Sequence, residues 1–183
     1  MNNPMSKEAS SAINLREKDD VIYFSIFSEG SDANYYLEYF EANSVTISSA
    51  IKKILLSKRF KPTIGEKYFA IIKPNNFTEE TRTLENVRTF AQTKRFRKLN
   101  AETICLLRKA LSDQDLENFG LKEVVVMRTG YGVEGRRRLA RICRTDGKII
   151  GKCNINTTND TEGRKPFGPE TGFAYYEKRS KIQ

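Results

Sequence analysis

Histidine is absent from this chain of 183 residues. Its absence excludes the Ser-His-Asp and Cys-His nucleophile systems, zinc or iron sites with histidine ligands, and a histidine general base. Three acidic residues, Asp113, Asp115 and Glu117, lie close together, but their spacing is typical of the start of a solvated helix rather than of a nuclease site. The sequence therefore predicts no metal site and no cofactor, and it favours a protein that is not an enzyme.

Cysteine is scarce, with only Cys105, Cys143 and Cys153 in the chain. Their odd number and their spacings of 38 and 10 residues match neither a CxxC metal knuckle nor the disulfide framework of a secreted domain. The N-terminal residues lack the apolar core of a signal peptide, and no apolar run approaches the length of a membrane span. We expect buried thiols, a location in the cytoplasm or another reducing intracellular compartment, and no membrane partner.

Positive charge is missing from residues 21–50, which contain four acidic residues and no lysine or arginine. Residues 51–183 carry 29 basic and 15 acidic residues, and the whole chain has a net charge of +9. A single basic cluster is typical of an ordinary solvated face. Here the bases form several clusters, and this uneven balance favours an anionic polymer as the partner. The three main clusters lie at residues 52–61, 94–98 and 136–144.

The order of patterns along the chain predicts an α+β fold, built from curved antiparallel β-sheets and two main amphipathic helices. Residues 1–20 are rich in Asn, Ser and charged side chains and are expected to form a flexible N-terminal arm. Residues 21–183 are expected to form a single α+β nucleic-acid-binding domain, which is long enough to bury a substantial core.

The first half of this domain predicts a hairpin followed by a helix. Residues 21–28 (VIYFSIFS) and 34–41 (NYYLEYFE) have strand character on either side of a turn at residues 29–32. Thr46 or Ser48 can then cap a helix. The apolar stripe of this helix consists of Ile51, Ile54 and Leu55.

The second half begins with a strand at residues 67–73. Residues 81–96 fit either further strands or a helix, because their apolar residues also recur with the helical period. Asn100 is a good cap for a helix over residues 101–111, and a short helix or turn follows. A surface loop near any binding groove is expected at residues 156–170. The remaining strands are expected to form an antiparallel meander, at residues 123–128, 138–144, 148–154 and 172–178.

Residues 130–135 (GYGVEG) match the pattern G-x-G-x-x-G, which cradles phosphates at the start of a helix. A dinucleotide-binding fold needs a helix directly after the glycines and then a parallel strand. Three arginines and an alternating pattern follow instead, so the context is wrong for that fold. A flexible glycine loop that presents arginines to phosphates, or a plain connection between strands, is favoured over a nucleotide site.

Basic and aromatic side chains lie next to each other at several places from residue 94 onward. Arginine bonds phosphate bidentately and stacks on bases, and the bases of single strands stack on aromatic faces. The candidate nucleic-acid-binding residues are Lys94, Arg95, Phe96, Arg97, Lys98, Arg128, Tyr131, Arg136, Arg137, Arg138, Arg141, Arg144, Lys148, Lys152, Arg164, Lys165, Tyr175 and Tyr176.

Each of these residues also has a structural explanation. Residues 136–144 fit a solvated edge strand whose charges prevent aggregation as well as a row of arginines along a groove. For any single aromatic residue, core packing is the alternative. Tyr175 and Tyr176 point to opposite faces of a strand, so at most one of them belongs to the core if the sheet is covered on one side only.

Residues 94–111 (KRFRKLNAETICLLRKAL) combine a basic strand, a Leu-polar cap and an amphipathic helix, with a fainter echo at residues 45–56. In this order the chain resembles the Whirly group of single-stranded nucleic-acid-binding proteins. The resemblance implies curved antiparallel sheets with helices at their base and homo-oligomers formed through those helices. It also implies that nucleic acid binds across the sheet edges through stacking and backbone contacts.

The leading hypothesis is non-enzymatic binding of single-stranded nucleic acid, RNA ahead of DNA, with limited sequence specificity. A second hypothesis is a protein that binds another protein, or a second copy of itself, through an acidic hairpin at residues 29–41 and its basic face. A third is an enzyme that holds a nucleotide phosphate in the loop from Gly130 to Gly135.

Overall fold

The computed structural model describes residues 13–133, 136–144, 155–159 and 165–178. These residues form seven strands and five α-helices. Strands β1 to β7 are Ile13–Lys18, Val21–Glu29, Ile64–Ile72, Glu123–Val133, Arg136–Cys143, Ile155–Asn159 and Thr171–Tyr176. Helices α1 to α5 are Ala33–Ala42, Ser49–Leu55, Leu84–Thr93, Glu102–Ala110 and Asp113–Asn118.

All seven strands join in one open sheet in the order β1-β2-β3-β7-β4-β5-β6. Neighbours are antiparallel except β4 and β7, which are parallel. The fold class is α+β, as predicted. The predicted meander is wrong at β7, which enters between β3 and β4. The first five residues of β7 are all buried, and a strand buried on both faces belongs at the centre of a sheet rather than at its edge.

One face of the sheet, which we call the first face, carries the larger core, which we call the first core. Alternate residues of β2 and β4, including Ile22, Phe24, Val124 and Val126, point into it. Helices α1, α2, α4 and α5 cover this face with their buried apolar side chains. The two predicted amphipathic helices, α2 and α4, are confirmed, and Ser48 caps α2 by accepting a hydrogen bond from the backbone N–H of Ile51.

The opposite face, which we call the second face, carries a smaller core, which we call the second core. Its buried strand residues include Met127, Phe173 and Tyr175, and helix α3 covers them. Residues 81–96 thus contain a helix, which settles the choice that their pattern left open. Because helices lie on both faces, the one-sided sheet assumed for Tyr175 and Tyr176 is wrong.

The second strand of the predicted hairpin is wrong, because residues 34–41 lie in α1. Asp32 caps this helix, and its carboxylate accepts a hydrogen bond from a backbone N–H of the first turn at 2.9 Å. Tyr36 and Phe40 are buried in the first core. A separation of four residues fits both a strand face and a helix face, and the cap at Asp32 decides between them. The first predicted strand, residues 21–28, is confirmed as part of β2.

The prediction of a flexible arm over residues 1–20 is wrong for residues 13–18, because they form β1, which pairs with β2. The exposed charged residues of β1 suit an edge strand. Glu17 pairs at 2.9 Å with Lys73, the residue that follows β3. Residues 1–12 and the predicted strand 148–154 lie outside the described residues. Strand β6 occupies the first part of the expected loop at residues 156–170, where the Thr residues favour a strand.

A buried carboxylate joins α4 to β2 and to the region of β3. Glu102 is fully buried and accepts hydrogen bonds from the Ser28 hydroxyl at 2.5 Å and from the Thr63 backbone and hydroxyl at 3.2 and 3.0 Å. The ammonium group of Lys67 lies 3.4 Å away. A buried charge is tolerated only with such partners, so this network has a structural role.

The cysteines Cys105 and Cys143 are buried thiols, as expected, and Cys153 lies outside the described residues. Burial, reinforced by the nearby charge of Glu102, raises the pKa of Cys105 well above that of a free thiol. Within the described ranges, no helix has both the length and the apolar character needed to cross a membrane.

Candidate nucleic-acid interface

The basic segment, residues 94–98 (KRFRK), leaves the end of α3 in a sharp turn. Arg95 has a left-handed conformation with φ of 58°, and the N–H groups of Arg95 and Phe96 bond back to carbonyls of the last helical turn at 2.9 Å each. This is a Schellman ending, in which glycine is the usual left-handed residue. Arg97 then forms two backbone hydrogen bonds with Tyr176, at 2.9 and 2.8 Å. The turn fixes Phe96 against the sheet and leaves the four cations exposed.

Phe96 lies in a row of aromatic rings on the second face, which we call the aromatic row. Its ring centroid is 6.2 Å from that of Tyr23 and 6.3 Å from that of Tyr175. Ala70 is paired with both tyrosines in the sheet, and its small side chain leaves space for the ring between them. Arg16 extends the row, with its guanidinium carbon 4.9 Å from the centre of the Tyr23 ring.

A groove opens beside the aromatic row, between α3 and the sheet. It is small, with a cavity volume of about 90 Å³, and it is open to solvent. Apolar side chains from helix and sheet form its floor, and amide and cationic side chains form its rim. Among the described residues, no acidic side chain lines it. The lining residues are Arg88, Ala91, Gln92, Phe96, Lys98, Met127 and Tyr175.

Tyr175 is the most deeply placed polar residue of this groove. Its side chain is buried, and its hydroxyl has no hydrogen-bond partner within the described part of the chain. Burial raises the pKa of this phenol far above its ordinary value, and the positive charge of nearby Arg88 opposes that rise. The phenolic proton is therefore retained, and the hydroxyl lies within the electrostatic reach of a groove-lining cation.

The structure brings together only part of the predicted set. Lys94, Arg95, Phe96, Arg97, Lys98 and Tyr175 lie along the groove or in the segment beside it. Tyr176 instead packs against the first core: its ring centroid is 5.3 Å from that of Phe69, and its hydroxyl is 2.9 Å from that of Thr103. Interpreting Tyr176 as a stacking residue is therefore wrong, because the face it points to is covered by α4.

The predicted row of arginines in β5 is partly engaged in ion pairs. Arg141 pairs with Glu123 at 2.8 Å, and Arg144 pairs with Glu117 of α5 at 3.5 Å. Neither presents an uncompensated cation to a groove. The backbones of four predicted residues pair in β4 and β5: Tyr131 with Arg138, and Gly132 and Val133 with Arg137 and Arg136.

For several residues the role in nucleic-acid binding stays a prediction. Arg128 lies in β4. Lys165 is exposed and close in sequence to Phe167, whose ring packs on Phe173 of the second core at 5.1 Å. Lys148, Lys152 and Arg164 lie outside the described residues.

The glycine pattern at residues 130–135 is not a phosphate cradle of the dinucleotide type. Gly130 and Gly132 lie inside β4, and the next element is strand β5, where that fold needs a helix. The acidic residues expected in a hairpin at 29–41 lie at the end of β2 and on α1, which packs on the first face. The groove lies on the second face, so the acidic residues are separated from it by the sheet.

Sequence reasoning missed four residues of the interface: Tyr23, Arg88, Gln92 and Met127. It also missed the place of Arg16, which lay in the expected arm; Arg16 extends the aromatic row but pairs with Glu177 at 3.2 Å. The alternation of β2 did place Tyr23 on the face opposite Ile22 and Phe24, and the helical repeat of residues 81–96 implied a helix there. These signals could have found Tyr23 and Arg88, but only with the knowledge that the second face is open beside α3.

No group of three or more Cys, Asp or Glu side chains that could hold a metal ion occurs in the described residues. The chain matches no protein-family model, no curated protein and no solved structure. The resemblance of residues 94–111 to the Whirly group, and the homo-oligomer that it implies, therefore stay predictions.

Proposed function

We propose that the chain binds single-stranded nucleic acid without catalysing a reaction, RNA ahead of DNA, through the groove and the basic segment. The observation that carries this proposal is the position of Phe96. Its half-buried ring lies between two tyrosines at the edge of an open groove, and four exposed cations surround it in the chain.

Such an arrangement suits the two parts of a single strand that a protein contacts, its bases and its phosphates. Unstacked bases lie on aromatic side chains, each contributing about 1–3 kcal/mol, while cations hold the phosphates. The bases of a duplex are already stacked and paired, and a groove of this size has no access to their faces. Single strands are therefore favoured over duplexes.

The number of phosphate contacts sets the expected salt dependence. Lys94, Arg95, Arg97 and Lys98 are the exposed cations of the basic segment beside the groove, and together they supply about four contacts. Each contact to a single strand contributes about −0.7 to the slope of log affinity against log salt, which gives a slope of about −3. Phosphate contacts carry no sequence information, so they predict limited sequence specificity.

Matched charge variants test the site. We expect the double variant Lys94→Ala, Lys98→Ala to weaken binding of a single-stranded oligonucleotide by at least about tenfold and to make the salt slope shallower by about 1.4. The control is Lys52→Ala, Lys53→Ala, which removes the same charge from exposed positions of α2 on the first face.

Fluorescence anisotropy with labelled RNA and DNA of one sequence measures both variants. The control is expected to keep wild-type affinity and slope. Equal losses in the two variants would show that net charge, and not this groove, governs binding. Tighter binding of DNA than of RNA would contradict the proposed preference.

A further inference from the structure

The aromatic row ends, outside the groove, at an ion pair between Arg16 and Glu177. The guanidinium carbon of Arg16 lies 4.9 Å from the centre of the Tyr23 ring, and a guanidinium nitrogen is 3.2 Å from the Glu177 carboxylate. Burial raises the pKa of the Tyr23 phenol, the charge of Glu177 adds to that rise, and the charge of Arg16 opposes it. One cation and one carboxylate therefore lie together beside the last ring of the row.

The fold holds the two partners of this ion pair with different firmness. Glu177 directly follows β7, its backbone N–H donates a hydrogen bond to the Tyr68 carbonyl at 2.9 Å, and its side chain is only 18% exposed. Arg16 extends from the edge strand β1, and its side chain is 64% exposed. The carboxylate is thus the fixed partner, and the guanidinium is the partner that can turn toward a ligand.

A phosphate of a bound strand and the Glu177 carboxylate would compete for the same donors, because a guanidinium binds both anions with the same planar geometry. Arg16 is paired with Tyr23 across β1 and β2, and Tyr23 contacts Phe96. A strand that continues from the groove along the aromatic row therefore reaches Arg16. Exchange of one anion for another at Arg16 yields little net free energy, so this cation adds little to the affinity while Glu177 is charged.

We infer that Glu177 is an internal competitor of the phosphate backbone and keeps Arg16 out of the nucleic-acid interface. This inference rests on the proposed function and adds an autoinhibitory contact to the same site. When the charge of Glu177 is removed, Arg16 becomes a further phosphate-binding cation beside those of the basic segment.

Removal of the carboxylate charge tests the inference. Glu177→Gln keeps the size of the side chain. We expect this variant to bind a single-stranded oligonucleotide about threefold more tightly than wild type, within the range of an exposed ion pair, and to make the salt slope steeper by about 0.7, the contribution of one phosphate contact. In an Arg16→Gln background the same replacement should lose most of this gain and leave the slope unchanged.

The matched control is Asp19→Asn, which removes another negative charge that acts on the Tyr23 phenol and leaves the ion pair in place. The left-handed backbone of Asp19, with φ of 52°, suits asparagine. We expect less than about a twofold change in affinity, because salt screens an exposed charge that makes no direct contact. Urea denaturation of each variant verifies folding.

Two results would overturn the inference and leave the proposed function in place. One is a gain in Glu177→Gln no larger than that in Asp19→Asn, and the other is a gain that survives Arg16→Gln in full. If wild type binds no single strand, the proposed function itself fails.

Discussion

The replacement Phe96→Leu separates stacking from simple apolar packing. Leucine keeps most of the apolar volume at this position and loses the flat π-face on which a base lies. Stacking of one base on an aromatic ring is worth about 1–3 kcal/mol, so the variant should bind single strands about tenfold more weakly. The salt slope should stay unchanged, because every cation of the basic segment is retained.

Phe96→Leu should also lower the stability of the fold, by an amount that follows from the contacts of the ring. Phe96 forms two aromatic contacts, with Tyr23 and Tyr175, and such pairs are worth about 0.5–1.5 kcal/mol each beyond area burial. We expect the free energy of unfolding to fall by about 2 kcal/mol, as measured by urea denaturation. Anisotropy must therefore be recorded well below the transition of the variant.

Phe90→Leu is the matched control for this prediction. Phe90 is half-buried, its ring centroid is 5.7 Å from that of Phe77, and it does not line the groove. The control should lose stability but keep wild-type affinity. Wild-type affinity in Phe96→Leu, or an equal loss in Phe90→Leu, would refute the assignment of Phe96 as the stacking residue.

Three further changes test other features. Arg95→Gly should raise the free energy of unfolding by about 1 kcal/mol, because glycine adopts the left-handed conformation without strain, and should weaken binding by a few fold; a destabilised variant would contradict the Schellman turn. Tyr175→Phe should make the free protein more stable by about 1 kcal/mol in urea, since an unpaired buried hydroxyl is removed; a clear loss would indicate a partner for that hydroxyl. Lys67→Met should lower stability by about 3 kcal/mol by leaving the Glu102 carboxylate without its cation, and an unchanged urea midpoint would refute that role.

Local patterns predicted the elements that depend on local chemistry. The stripe of Ile51, Ile54 and Leu55 and its cap at Ser48 predicted α2, and the β-branched and aromatic residues at 21–28 predicted most of β2. The hairpin prediction failed at Tyr36 and Phe40, whose spacing fits two periodicities. The sheet topology could not be predicted from local patterns, because the entry of β7 between β3 and β4 depends on contacts between segments distant in sequence.

The candidate site, too, was predicted from the sequence only in part. Charge clustering drew attention to the basic segment and to Phe96, and the structure places a groove beside them. The pattern could not show that Tyr176 packs under α4 or that Arg141 pairs with Glu123, since both facts depend on the other face of the sheet or on a neighbouring strand. A basic residue becomes a binding residue only when no carboxylate compensates it.

The most direct test of the central claim is the affinity for a single-stranded oligonucleotide, and for the duplex of the same sequence, over a range of salt. Between about 50 and 200 mM salt, four phosphate contacts predict a loss of about 50-fold for the single strand. The duplex should bind more weakly at every salt concentration. Absence of binding at low salt, an affinity that salt does not change, or a duplex that binds as tightly as the single strand would contradict the account.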